Sequence, residues 1–243
     1  MSRKLIASAS IVTGALLFAG TANAQATGFN DDSQFIFSVD RLFPIFAYES
    51  TKTSFTVGPG SDSNHITTTN LLSNGFGFAA NDAAAYNIPR FAFDYKFPFR
   101  LTIGGSIFAS FTLGSGNSHV DQRGIETDTN GDTLTLFGFA PRVGYILSFN
   151  DLFAFWPRGG IEFYSLNVKA PDQTSVTSSQ WALNLEPMFV ITPLPHFGIT
   201  VGPVIDIPIS GSQSTSPPGD VTTSVNLTLF HFGITAGVLI YLP

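Results

Sequence analysis

Three long stretches of this chain alternate apolar with small or polar side chains at a period of two, and helical spacing fits none of them. From 100 to 113, Leu101, Ile103, Gly105, Ile107, Ala109, Phe111 and Leu113 share one face. Arg100, Thr102, Gly104, Ser106, Ser110 and Thr112 share the other, with Phe108 the one misfit. From 196 to 210, Phe197, Ile199, Val201, Pro203, Ile205, Ile207 and Ile209 alternate with a row that contains Thr200, Asp206 and Ser210. From 88 to 97, Phe91, Phe93, Tyr95 and Phe97 alternate with Arg90, Ala92, Asp94 and Lys96.

Extending this pattern predicts eight strands, at about 34–49, 88–97, 100–114, 133–149, 152–168, 180–192, 196–210 and 224–241. Several exceed the usual strand length of about 5–6 residues and suit the roughly 9–11 residues that span a bilayer. The connections alternate in length. Long ones cover 50–87, 115–132, 169–179 and 211–223; short ones lie at Pro98, Asn150-Asp151 and Pro193–Pro195. This is the spacing of an all-β, eight-stranded, antiparallel up-and-down barrel with one rim of turns and one of loops.

Alternation alone does not say which face meets solvent. Charge does. Only 12% of residues are charged, against about 25% in soluble domains. The polar face is mostly Gly, Ser, Thr and Asn, too poor in ions for a water-facing surface. The apolar face is continuous, a hazard in water and a requirement in lipid. Phe97, Phe99, Phe149, Phe153, Trp181, Phe197 and Tyr241 stand near strand ends, where interfacial girdles form.

The first residues read as an export signal: Arg3 and Lys4, an apolar stretch Leu5–Ala19, and the small-x-small site Ala22-Asn23-Ala24. Cleavage before Gln25 would leave a single barrel domain, 25–243. It would also leave 9 basic and 17 acidic residues, a net charge of −8, which opposes nucleic-acid binding. No apolar run of transmembrane-helix length follows residue 24, and the absence of cysteine excludes disulfides, thiolate metal sites and thiol catalysis.

A signal, eight alternating strands, asymmetric loops and a final strand reaching the C-terminus together make residues 34–243 resemble the small bacterial outer-membrane β-barrels, such as the OmpA transmembrane domain and OmpX-type proteins. The resemblance implies a bacterial outer-membrane location, periplasmic termini, a monomer and lipid as the surrounding partner. Members usually end in an aromatic residue read by the assembly machinery. Here the ending is Tyr241-Leu242-Pro243, after the apolar row Phe232, Ile234, Ala236, Val238 and Ile240.

Parity sends Arg90, Asp94, Lys96, Arg142, Arg158, Glu162, Glu186 and Asp206 into the lumen, four of each sign. An eight-stranded barrel is about wide enough to be filled by side chains, so these ions should pair. Asp40 and Arg41 are adjacent, and a regular strand turns only one of them inward; the pattern leaves that choice open. Pro44, Pro89, Pro141, Pro157, Pro187 and Pro203 fall inside predicted strands, where each removes a ladder donor. They are expected to mark bulges or missing ladder bonds, with inward arginines donating to the freed carbonyls.

Catalytic and metal motifs are weak. His65, His119, His196 and His231 show no ligand spacing, and no serine–histidine–carboxylate grouping is evident. Asp128, Asn130 and Asp132 begin like a calcium loop, but Thr133 and Phe139 stand where Gly and Glu are required. Asn130-Gly131 reads as a hairpin turn. No enzyme activity, cofactor or metal is expected. The leading expectation is a structural or surface-interaction barrel with a salt-bridged lumen. Loops 50–87 and 115–132 are its candidate surface for an extracellular ligand. A small pore with a charged constriction is the alternative, and a lipid-modifying barrel the third reading.

Overall fold

The computed structural model describes residues 29, 34–57, 60–71, 84–112, 116–120, 126–219 and 221–242. The expected signal segment and Leu113 lie outside the described residues. Among the described residues there are twelve strands and one short helix: β1 (Phe35–Val57), β2 (Gly60–Leu71), α1 (Ala84–Asn87), β3 (Arg90–Lys96), β4 (Leu101–Thr112), β5 (Gly116–Val120), β6 (Glu126–Asn130), β7 (Thr133–Tyr145), β8 (Leu147–Ser148), β9 (Phe153–Lys169), β10 (Ser175–Leu194), β11 (Phe197–Ser216) and β12 (Thr223–Leu242).

The ring runs β1-β3-β4-β7-β9-β10-β11-β12 and closes where β12 pairs β1. Every pairing is antiparallel. Closure pairs each of the eight strands with two neighbours, the arrangement that lets strands cross lipid. The turns are tight. Arg100 and His196 adopt positive φ at two of them, and Asn150 Oδ1 caps the third by accepting from the Leu152 and Phe153 amides.

Apolar side chains cover the outside of the ring. Phe91 is 67% exposed and Ile107 60%. On β9 the outward row is apolar from Phe153 to Phe163 and then changes to Ser165, Asn167 and Lys169. That apolar span matches the bilayer core. Its loop-side edge carries an aromatic group in which Trp181 lies 4.8 Å from Phe163 and 5.9 Å from Phe139. Its turn-side edge carries Tyr95, Phe97 and Phe99 in contact. Tyr241 does not belong to this girdle. It is buried inside the barrel, because β12 turns its odd-numbered residues inward here.

The strands run further toward the loops than the apolar pattern alone suggests. Beyond the band, β9 to β12 continue as a polar sheet, with hydroxyl pairs Ser179–Ser212 and Ser214–Ser224. Six residues separate Ser175 from Trp181, or roughly 20 Å of projection. β1 also continues, and there β2 replaces β3 as its neighbour from Phe46↔Leu71 upward. The long connection 50–87 therefore contains a hairpin, and 115–132 contains the separate β5–β6 pair. Asn130-Gly131 is not a hairpin turn: it joins β6 to β7, which pair with different partners.

Most of the prolines mark a bulge or a missing ladder bond, as expected. Pro89 lies just before β3, and only Pro44 sits at a register shift. Pro141, Pro187 and Pro203 are each paired on one side and skipped on the other, with the register unchanged. A missing N–H costs a bond on one flank only, which the other flank's ladder tolerates.

The band makes a depth-dependent prediction. Ile107→Arg, near the middle of the apolar span, should destabilise the barrel by about 2–4 kcal/mol, whereas Thr177→Arg, beyond the band, should cost about 0–1 kcal/mol. Urea unfolding from lipid vesicles reads the difference. Equal costs would show that the outer surface is not graded by lipid.

A candidate functional site in the barrel lumen

The inward row of each strand brings charge into a narrow interior. Among the described residues, five cations (Arg41, Arg90, Lys96, Arg142, Arg158) and six carboxylates (Asp40, Glu49, Asp94, Glu162, Glu186, Asp206) are buried. Their main pairs join into one network. Arg142 donates to Asp94 through Nε and Nη2, at 3.0 and 2.5 Å, and to Asp40 through Nη1 at 2.6 Å. Arg90 makes a two-pronged pair with Glu162, both bonds at 2.7 Å. Arg158 lies 2.9 Å from Asp40 and 2.8 Å from Glu186, close enough for an ion pair although its N–H groups miss hydrogen-bond alignment.

Glu186 joins the two halves. It reaches Arg158 and Arg142 with one oxygen and Arg41 with the other, the last at 3.1 Å. Arg41 also forks onto Asp206 at 2.9 and 3.0 Å and stands 3.8 Å from Glu162. His231 Nδ1 meets Asp206 at 2.9 Å, and Asn184 donates to the same carboxylate at 2.7 Å.

Asp40 and Arg41 both point inward, against the expectation that a strand admits only one of them. Arg41 has φ 54°, and the β1–β12 register slips between Val39 and Phe43. This bulge rotates two successive side chains to one face. Asp40 thereby faces Arg142 and Arg158 while Arg41 faces Glu186 and Asp206. Period-two reading cannot find this pair; the only sequence signal was two adjacent opposite charges in a strand. Asn184, Gln180 and His231 were also missed, being neutral members of an inward row. Lys96 is buried near the turn rim.

Among the described residues, the inward arginines donate to no strand carbonyl beside a proline. Apart from carboxylates, they donate to two carbonyls of the segment around α1: Arg41 to Tyr86 at 2.9 Å and Arg90 to Ala85 at 3.4 Å. That segment lies inside the barrel. It comes just before β3, which has only seven residues. Ala85, Tyr86 and Ile88 pack there with Phe108, Leu134, Leu136, Tyr164, Leu166, Ala182 and Leu229. Phe108, the misfit of the sequence pattern, lies inward beneath Arg90, 4.2 Å from its guanidinium. Gly138 makes this possible: a Cβ there would come within 2.1 Å of the Phe108 ring.

The turn end is filled as well. Phe29 contacts Trp156 and Tyr241 at 5.8 and 5.3 Å and packs with Ile36, Ile146, Ala154, Val190 and Leu239. Trp156 donates to Thr102 at 3.0 Å and presents its ring to Arg158 at 4.6 Å. Three layers thus occupy the interior in series: aromatic, ionic, then aromatic with α1.

Removing Glu186 strands parts of three arginines. Glu186→Ala should destabilise by about 3–5 kcal/mol, as for other broken buried pairs. A shift of the denaturant midpoint measures it, and a change under 1 kcal/mol would show that the network is screened by water.

No protein-family model and no curated protein sequence matches this chain. Among solved structures, outer membrane protein OprG from Pseudomonas aeruginosa is 10% identical, over 88% of this chain and 100% of that one, with a TM-score of 0.49. The outer membrane protease OmpT from Escherichia coli is 8% identical, over 86% and 97%, with a TM-score of 0.46. Neisserial surface protein A is 11% identical, over 86% and 97%, with a TM-score of 0.38. By its closed eight-stranded ring and its apolar outer band, the chain is an integral outer-membrane β-barrel.

Proposed function

We propose that this barrel is a closed scaffold, its lumen a structural plug and its projecting polar sheet the surface that meets a partner. One observation carries the reading: the lumen arginines are spent on lumen carboxylates. Arg142 holds Asp94 and Asp40, Arg90 holds Glu162, and Arg41 holds Asp206 and Glu186. A conducting path would need some of these ions free to exchange with solute, and the layers around Phe29 and Tyr86 close both ends of the same interior.

In this reading the turn rim and both termini face the periplasm, and the hairpins of β1–β2 and β9–β12 stand outside the cell. Connections 50–87 and 115–132 supply the candidate contacts for an extracellular ligand, on the rigid base that loops commonly use for binding. Each barrel closes its own ladder and works as a monomer with lipid around it. No catalytic role is assigned. The Asp206–His231 pair lies behind Tyr86, whose ring stacks on the imidazole at 5.3 Å.

The test is conductance. The mature chain refolded in detergent, with heat-modifiable migration as proof of folding, should be silent in a planar bilayer. Arg158→Ala and Glu162→Ala should be silent too, because the two aromatic layers remain. Discrete wild-type conductance that these substitutions alter would overturn the scaffold reading in favour of a charged constriction.

A further inference from the structure

The segment around α1 fills the outer half of the lumen in an unusual way. It is not part of the wall. No backbone–backbone hydrogen bond joins residues 84–88 to a strand among the described residues. It is held instead by side chains that grip it as they would a bound molecule. The Tyr86 ring lies nearly parallel to His231, at 5.3 Å and 14°, and edge-on to Tyr164, at 5.5 Å and 82°. Its hydroxyl accepts from Gln180 Nε2 at 2.6 Å, and its carbonyl accepts from Arg41 Nη1 at 2.9 Å.

The cup does not depend on its occupant. Gln180 is fixed by two bonds to the Leu229 backbone, each 2.8 Å. Arg41 is fixed by its fork on Asp206, and His231 by the same carboxylate. Removing Tyr86 would leave every arginine–carboxylate pair in place. Loss of its side chain would expose two rings and an amide donor, and withdrawal of its main chain would add a guanidinium donor at set spacing. His231 Nε2 has no hydrogen-bond partner although the side chain is only 1% exposed. The crevice beside it, lined by Arg41, Tyr86, Asn87 and Gly233, is too narrow for a water. At this cup, the space a ligand would take is the one that Tyr86 now fills.

We infer that this cup is a binding site for a small phenol bearing a neutral carbonyl group, and that Tyr86 occupies it as an exchangeable internal ligand. The ring, the hydroxyl and the carbonyl of Tyr86 define the chemistry. Charge selects the neutral form. The buried carboxylates already outnumber the buried cations by one among the described residues, and Arg41 already faces Asp206, Glu186 and Glu162. A carboxylate in place of the Tyr86 carbonyl would add a fourth anion to one guanidinium. An amide or ester adds none. Such a molecule, entering from the loop rim, would displace residues 84–88 and so couple its own binding to the opening of the outer mouth.

The probe that copies Tyr86 most closely is 3-(4-hydroxyphenyl)propionamide. Calorimetric titration of the full mature chain, refolded in detergent, tests the inference. Tyr86→Ala should bind the probe saturably. It should bind 3-phenylpropionamide, which lacks the hydroxyl, about 3- to 10-fold more weakly, the range of one neutral hydrogen bond. The acid 3-(4-hydroxyphenyl)propionate should also bind more weakly than the amide. Gln180→Leu added to Tyr86→Ala should erase the preference for the hydroxyl. Wild type should bind the probe measurably but more weakly than Tyr86→Ala, since its own tyrosine competes.

Should Tyr86→Ala fail to fold, Tyr86→Phe keeps the ring and loses only the Gln180 bond. It should bind the probe several-fold more tightly than wild type. Absence of saturable binding to a folded variant would overturn the site, as would equal binding of the two amides. Binding to Tyr86→Ala alone, with none to wild type or Tyr86→Phe, would overturn the exchange and leave Tyr86 a permanent plug.

Discussion

Closing eight strands into a ring sets an interior only about as wide as the side chains that fill it. Everything inside this protein follows from that limit. A guanidinium that enters cannot keep a full hydration shell, so it must find carboxylates on other strands. Glu186 shows how tightly the requirement binds the ring together. From β10 it touches arginines of β1, β7 and β9. The ladder fixes each neighbour to the next, while the ions tie strands across the diameter.

Filling the same interior with large groups requires small ones opposite. Gly138 yields to the Phe108 ring. Gly160 sits against the Pro141 carbonyl, where a Cβ would come within 1.9 Å, so β7 and β9 approach closely beside Arg142. The bulge in β1 acts in the same way, at the level of backbone, and sends an extra charge inward. The outer sheet escapes the limit, because water solvates its Ser and Thr rows.

Much of the fold could be read from the chain because a barrel wall has two unlike environments and a period of two. Phe91, Ile107 and Ile199 had to face lipid once their neighbours were too poor in charge for water. Where the pattern failed, a local backbone change had altered the parity or a partner lay far away in sequence. Arg41 is the first kind. His231 is the second: its carboxylate lies 25 residues away, on the adjacent strand. Tyr86 is a third kind. It belongs to a connection with no periodicity, and nothing in its own neighbourhood says that Tyr164, Gln180 and His231 will surround it.

By itself, then, the sequence determined the strands, the lipid-facing row and the residues that turn inward, since these depend on alternation and on the cost of charge in lipid. Only the tertiary structure decided which ion meets which, that Asp40 and Arg41 share the lumen, and that Phe29 and Tyr86 pack inside it on either side of the ions. Those outcomes depend on distances across the ring. Such distances exist only once β12 has paired with β1 and all eight inward rows face one another.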